Sequence, residues 1–246
     1  MVSFLSYNVG GAQQYDHVLA IARLLHTINT SIVCLQEAKW ANDESFVNDF
    51  VKKSGYNNCR ICLSSRTDNH SIVLSNLPVL GMIPFNQMVN SGIIIDIMAN
   101  MPVRVAALHL APSPEQQRVI ELNSILGYLS NDMNVVMAGD FNAIAPNEHA
   151  PVLGLSSSAK PESVKHDAIQ LLINSGFHDI GREHTVSPIA TVPLSADRGV
   201  TYQNLRLDYF FVHTKLAPLV RLYRVIDTPK TQNLSDHLPV FMQLGD

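Results

Sequence analysis

The sequence predicts an α/β protein built from two packed β-sheets with helices on their outer faces. Two observations lead there. The elements read β-α-β-α, then a long run of strands, then helix, strand, helix and strands again, too strand-rich for a doubly wound parallel sheet. Some strands are short unbroken apolar runs, above all residues 135–138 in NVVMAGDFN, of the kind buried on both faces. With 46% hydrophobic residues the 246-residue chain can fill a large core. No Pro/Gly/Ser linker, repeat or low-complexity tract divides it, so residues 1–246 are expected to form one domain.

Residues 2–10 (VSFLSYNVG) begin as a strand and end at Asn8 and the Gly10-Gly11 break. Asp16 can cap a helix from His17 to about Ile28, where Val18, Ile21, Ala22 and Leu25 recur at helical spacing. A buried strand at 32–35 then delivers Gln36 and Glu37. Asp43 can cap a second helix that runs to about Lys53 and is ended by Gly55. Strands follow at about 59–63, 71–74, 79–83, 92–98 and 103–109, with a polar loop at 64–70. The last of them delivers His109 into a Pro-punctuated turn. Ser113 can cap the next helix, 114–129, with Val119, Leu122, Leu126 and Leu129 as its apolar stripe.

In NVVMAGDFN, Gly139 ends the apolar run and gives the backbone freedom to turn. Asp140 and Asn142 are two apart, so in extended backbone they point the same way, with Phe141 turned inward. An Asx turn closing the strand is the plainer reading of the same residues. An irregular segment, 145–165, precedes a helix at 167–174 closed by Gly176. In NLRLDYFFVH, Leu205, Leu207, Tyr209 and Phe211 alternate with Arg206, Asp208 and Phe210, which puts Arg206 and Asp208 on one face. A strand near 219–226 leads to NLSDHLPVFMQL, with Ser235, Asp236 and His237 just before the last strand.

The formal charge is −4 and the basic residues are scattered. That argues against broad non-specific affinity for DNA, which draws on clustered Lys and Arg. It leaves room for a nucleic-acid enzyme that offsets phosphate charge with a divalent metal. Cys34 reads as core, and Cys59 and Cys62 fall on opposite faces of a strand, an arrangement unsuited to zinc. No secretory leader pattern and no membrane-length apolar run is present, so a monomeric, reduced, cytoplasmic protein without stable membrane insertion is expected.

Five strands or strand entrances carry an acid, amide or imidazole: Asn8, Glu37, His109, Asp140 with Asn142, and Asp208. Asp236 and His237 stand at a sixth. Taken singly, each has a plain explanation: a turn for Asn8, a solvated strand end for Glu37, a boundary position for His109. Their recurrence is harder to dismiss. Carboxylates and amides suit Mg²⁺ or Mn²⁺. The histidines suit proton transfer or stabilisation of a charged phosphoryl group.

The ordered set YN, LQE, LHLAPS, GDFN, RLDYFF and SDHLP resembles the endonuclease/exonuclease/phosphatase family, from Ser3 to Leu244. The resemblance implies a four-layer α/β sandwich and Mg²⁺-dependent phosphoester hydrolysis, with Mn²⁺ as a possible substitute. It implies that Glu37 is the principal metal ligand, with Asn8 beside it and Asp236 supporting metal or histidine. Asp140 orients or deprotonates the attacking water, and Asn142 fixes that water or a phosphoryl oxygen. His237 meets the scissile phosphate and Asp208 holds its ring. His109 matches the histidine of deoxyribonucleases and sphingomyelinases and counts against the abasic-site subclass, whose members carry Tyr there. Arg206 and Ser235 are outer candidates.

The loops 64–70, 85–91, 145–165 and 183–198 are expected to surround the cleft. Arg66, Asn69 and His70 are candidates to meet a phosphate or support His109, with Asp68 or Asn69 as its partner. The reading leans to a phosphodiesterase acting on nucleic acid or nucleotides, chiefly on ALHLAPS. A lipid or inositol phosphate phosphoesterase is the alternative. A non-enzymatic binding module has no need of Glu37, Asp140 and His237 together.

Overall fold

The computed structural model describes residues 1–10, 12–129, 134–146, 148, 165–187, 189–192 and 205–245. Expectations for 145–165 therefore fall largely, and those for 183–198 in part, outside the described residues. In chain order the elements are β1 (Val2–Asn8), α1 (Tyr15–Ile28), β2 (Ile32–Gln36), α2 (Glu44–Ser54), β3 (Asn58–Cys62), β4 (Ser71–Ser75), β5 (Val79–Phe85) and β6 (Ser91–Met98). They continue as β7 (Pro102–His109), α3 (Glu115–Leu126), β8 (Val135–Asp140), α4 (Asp167–Asn174), β9 (Phe177–Asp179), α5 (Ile180–Glu183), β10 (Asp208–His213), β11 (Val220–Val225), α6 (Pro229–Gln232) and β12 (Val240–Leu244).

The strands form two mixed six-stranded sheets, in the orders β11-β12-β1-β2-β4-β3 and β5-β6-β7-β8-β10-β9. The pairs β1–β2 and β7–β8 are parallel and the other ladders antiparallel. Strand alternation sorts side chains into layers. Phe4, Ile32, Cys34, Val73, Ile95, Ala107, Ala138 and Phe210 meet in the core between the sheets. Leu5, Tyr7, Val33 and Leu35 turn the other way, onto α1 and α2 through Ile21, Leu25 and Phe50. Leu108, Met137, Tyr209 and Phe211 face α3 and α4 through Leu122, Ile125, Ile169 and Leu172. The result is the expected helix–sheet–sheet–helix sandwich. Cys59 packs under the helices and Cys62 into the inter-sheet core, so the two thiols do face apart.

Helix starts depart from the sequence reading where the cap is concerned. Asp43 caps α2 as expected, its carboxylate accepting the Ser45 and Phe46 N–H groups, and Gly55 closes that helix at φ 79°. Helix α1 begins earlier, with Gln14 at the cap and Asp16 in the first turn. Helix α3 starts after Pro114, so Ser113 is one residue too early to cap it, and the helix ends at Leu126. Its buried face includes Glu115 and Glu121 beside Leu122 and Ile125, two carboxylates the apolar stripe did not foretell. Glu121 accepts the Val89 and Ala111 N–H groups, and Glu115 accepts that of Ala168.

Gly139 lies inside β8 and does not end it; the strand continues to Asp140, which pairs with His109 and Asp208. The glycine is needed for closeness. At its φ of 149°, a Cβ would stand 1.8 Å from the Leu108 carbonyl oxygen.

Candidate active site

The inter-sheet layer is apolar for most of its length and polar at one end. Following the alternation, Phe4 gives way to Ser6 and Asn8, Cys34 to Gln36, Ala107 to His109, Ala138 to Asp140, and Phe210 to Asp208. Asn8, Gln36, His109, Asp140 and Asp208 are all buried there. Neighbouring strands thus present their polar residues side by side, because register aligns Asn8 with Gln36, His109 with Asp140 and Asp140 with Asp208.

Asp140 is the hub. Its Oδ2 accepts Asn8 Nδ2 at 3.0 Å and lies 3.6 Å from His109 Nε2 and 3.9 Å from His237 Nε2. Its Oδ1 accepts the Asn142 N–H at 2.8 Å, so an Asx turn does close the strand, while the other oxygen stays in the site. Asn142 is accordingly not extended: its φ is 48°, and its Nδ2 donates to the Leu110 carbonyl at 3.0 Å. The parallel orientation expected of Asp140 and Asn142 is therefore corrected, although Phe141 is packed inward as expected. Glu37, just past β2, holds φ at 57°; its Oε1 accepts Asn8 Nδ2 at 3.3 Å and lies 3.9 Å from His109 Nε2. A non-glycine residue in the left-handed region is costly, and outside Asn29, a helix C-cap, Glu37 and Asn142 are the described examples.

His237 Nδ1 is 2.8 Å from Asp208 Oδ2, the pairing expected from sequence. The segment carrying it is tied to β1 by Ser235, whose Oγ donates to the Asn8 carbonyl at 2.7 Å and accepts the His237 N–H at 3.1 Å. Asp236, half-buried, lies beside Ser235 Oγ at 3.3 Å.

Other candidates are not brought into the site. Arg206 precedes β10, so the alternation does not reach it; its guanidinium lies over the Tyr209 ring and binds Asp179 and Glu148. Asn69 donates to Asn90, His70 Nδ1 accepts the Ser64 N–H, and Arg66 is exposed. Neither Asp68 nor Asn69 partners His109, which faces Asp140 and Glu37 instead. The loop supports His109 only indirectly, through Asn90, whose Nδ2 donates to the Leu110 carbonyl.

The sequence from residue 5 to residue 237 matches the family model of the endonuclease/exonuclease/phosphatase family. The chain belongs to that family. Its members are hydrolytic enzymes acting on phosphoester bonds, and they generally use divalent metals. No curated protein sequence matches the chain. Among solved structures it is similar to the 3′ phosphatase NExo from Neisseria bound to product DNA hairpin, at TM-score 0.76 and 20% identity over 100% of both chains. It is also similar to an AP endonuclease from Archaeoglobus fulgidus, at 0.74 and 17% over 99% of each chain. Truncated TDP2 from Caenorhabditis elegans follows at 0.68 and 15%, over 100% of this chain and 98% of that one. At these identities the likeness speaks for the fold alone.

The two histidines of this family member are held in opposite charge states. Burial works against charge on His237, but the charge and hydrogen bond of Asp208, with Asp140 and Asp236, outweigh it and push its pKa up to about 10. Burial pushes His109 down to about 4, with His237 and Lys39 adding to the effect against the pull of Asp140. Burial and the neighbouring Asp208 raise the Asp140 carboxyl, opposed by the histidines.

Ligating atoms of Asp140, Asp208 and His237 lie within 4.8 Å of one another, the one such grouping of three among the described residues. A charged imidazole cannot ligate, so a cation here would be held by the carboxylates and not by His237. The carboxylates remain. Glu37, Asp140, Asp208 and Asp236 converge against one imidazolium, and Asp208 Oδ1 is buried with no hydrogen-bond partner. An oxygen-rich, charge-unbalanced set of this kind fits a hard divalent cation.

Proposed function

We propose that the chain is a Mg²⁺-dependent phosphodiesterase acting on nucleic acid or nucleotides, working as a monomeric single domain in the cytoplasm. Carrying this reading is the convergence of the Asp208–His237 pair, the Asp140 carboxylate and the Glu37–Asn8 pair at one end of the inter-sheet layer. Glu37 would hold Mg²⁺, or Mn²⁺ in its place, with Asn8 and Asp236 alongside. When bound, that ion supplies positive charge to the phosphoryl oxygens.

The protein's own groups do the rest. Asp140 orients the attacking water and accepts its proton, and the raised pKa of its carboxyl strengthens it as a base. Asn142 holds Asp140 by its backbone N–H, which is a different role from fixing the water directly. His237, kept charged by Asp208, donates from Nε2 to a phosphoryl oxygen. His109, kept neutral, offers a second donor without a second charge. Both are preorganised toward charge that builds up in the transition state.

The test is hydrolysis, under Mg²⁺ and Mn²⁺, of bis-p-nitrophenyl phosphate, single- and double-stranded DNA, abasic DNA, RNA, nucleotides, sphingomyelin, phosphoinositides and inositol phosphates. Metal-dependent turnover of diesters, with nucleic acid or nucleotides preferred, is expected. Preference for a lipid substrate would transfer the reading to that class, and preference for monoesters would replace diesterase by phosphatase. Strong abasic-site cleavage would overturn the use of His109 against that subclass.

A further inference from the structure

We propose that Thr191 is the positioning residue of the Asp208–His237 pair, gripping Asp208 by its own amide and His237 by the amide that follows it. Thr191 is fully buried, in a segment outside every strand and helix. Its Oγ1 accepts two successive amides, Leu207 N–H at 3.0 Å and Asp208 N–H at 3.1 Å. Its carbonyl accepts the N–H of Leu238, the residue after His237, at 2.7 Å. Its own N–H donates to the Leu205 carbonyl at 2.9 Å. One side chain and one peptide thus connect the start of β10 to the segment carrying the histidine.

This grip matters because the Asp208 carboxylate has few contacts of its own, and pairing with β8 and the Phe141 N–H on the Leu207 carbonyl hold only one side of its backbone. Successive N–H groups of a regular strand point to opposite sides, so one oxygen serving both holds Leu207 and Asp208 out of regular strand geometry as β10 begins. That geometry sets where the Asp208 carboxylate leaves the backbone. The carboxylate itself has a single hydrogen bond, Oδ2 to His237 Nδ1; Oδ1 is buried without a partner. A carboxylate oriented by so few side-chain contacts takes its position from its backbone, and Thr191 is the side chain that holds that backbone. Its removal leaves two buried amides without an acceptor, which the chain relieves by moving.

The kinetic consequence rests on the phosphodiesterase reading above; the structural one does not. Three variants separate the possibilities. Thr191→Val keeps shape and removes the acceptor, Thr191→Ser keeps the acceptor, and Thr30→Val removes a buried hydroxyl bonded to Tyr56 as a control for general loss of stability. With Mg²⁺ and bis-p-nitrophenyl phosphate, Thr191→Val is expected to lower kcat by about 10²-fold with KM little changed. Thr191→Ser should restore most of it, and Thr30→Val should leave kcat near wild type. In metal-free protein, the downfield proton resonance of His237 Nδ1–H, assigned by its loss in His237→Ala, should weaken and move in Thr191→Val and persist in the other two.

A folded Thr191→Val with wild-type kcat and an unchanged resonance overturns the proposal. Should that variant fail to fold, Thr191→Ala, whose vacated space admits a water, must show the same two losses or the proposal falls. Absence of turnover in the wild-type protein would sink the phosphodiesterase reading and leave the resonance to decide on Thr191.

Discussion

At the scale of single residues, the site is a set of charges fixed by their neighbours. In the proposed reaction, His237 works only as well as Asp208 keeps its ring charged and turned. His237→Ala is expected to lower kcat about 10²- to 10⁴-fold with a smaller effect on KM, the range of a positioned proton donor. Asp208→Asn should reproduce much of that loss. The double variant should add little, because groups acting as a unit are not additive. Fully additive losses in this cycle would mean that the 2.8 Å pair does not act as one. His109 makes a claim on stability. Its folded pKa of about 4 lies below its ordinary 6.5, so the unfolded chain binds the proton first. Stability should therefore be whole above pH 6.5 and fall as the pH drops toward 4. In metal-free urea titrations, His109→Gln should flatten that acid limb relative to wild type; identical limbs would show that His109 is not held neutral.

At the scale of elements, the strands put chemistry at their ends through alternation and register, and their turns hold it there. Glu37 and Asn142 both adopt left-handed backbone where β2 and β8 run out. Gly139 permits the close contact of β7 with β8 that lines His109 up with Asp140. Gly139→Ala would drive a methyl into the Leu108 carbonyl at 1.8 Å in a backbone region that alanine avoids. The expected loss is about 2–5 kcal/mol, from overpacking and φ strain together. Gly81→Ala, where a Cβ would first meet Asp96 Oδ2 at 3.5 Å, is the near-neutral comparison. Equal midpoints for the two variants in denaturant would contradict the close-approach reading.

At the scale of the molecule, the sandwich was legible because period-two alternation and unbroken apolar runs fix which strands are buried on both faces. The site was legible where polar residues interrupt those runs: Asn8, Glu37, His109, Asp140 and Asp208 each end one. Thr191 and Glu121 act through bonds to backbone groups far along the chain, and such bonds leave no local pattern to read. Arg206 lies before the first residue of β10, and its partners Asp179 and Glu148 come from segments that alternation along one strand does not reach. What the whole fold does is concentrate carboxylates: Glu37, Asp140, Asp208 and Asp236 come from distant parts of the chain to one end of the inter-sheet layer. The unfolded chain has no such cluster, so a cation binding there must stabilise the folded state. At a concentration a hundredfold above its dissociation constant, Mg²⁺ should add about 2.7 kcal/mol. For a chain of this length that is a rise in Tm of roughly 5–10 °C over the protein in EDTA. Glu37→Gln keeps size and hydrogen bonding while removing one negative charge. Its Tm in EDTA should be close to wild type, its rise at the same Mg²⁺ smaller, and the rise should recover in part as Mg²⁺ is increased. An equal rise in both proteins would make Glu37 a solvated strand end and move the cation elsewhere among the carboxylates.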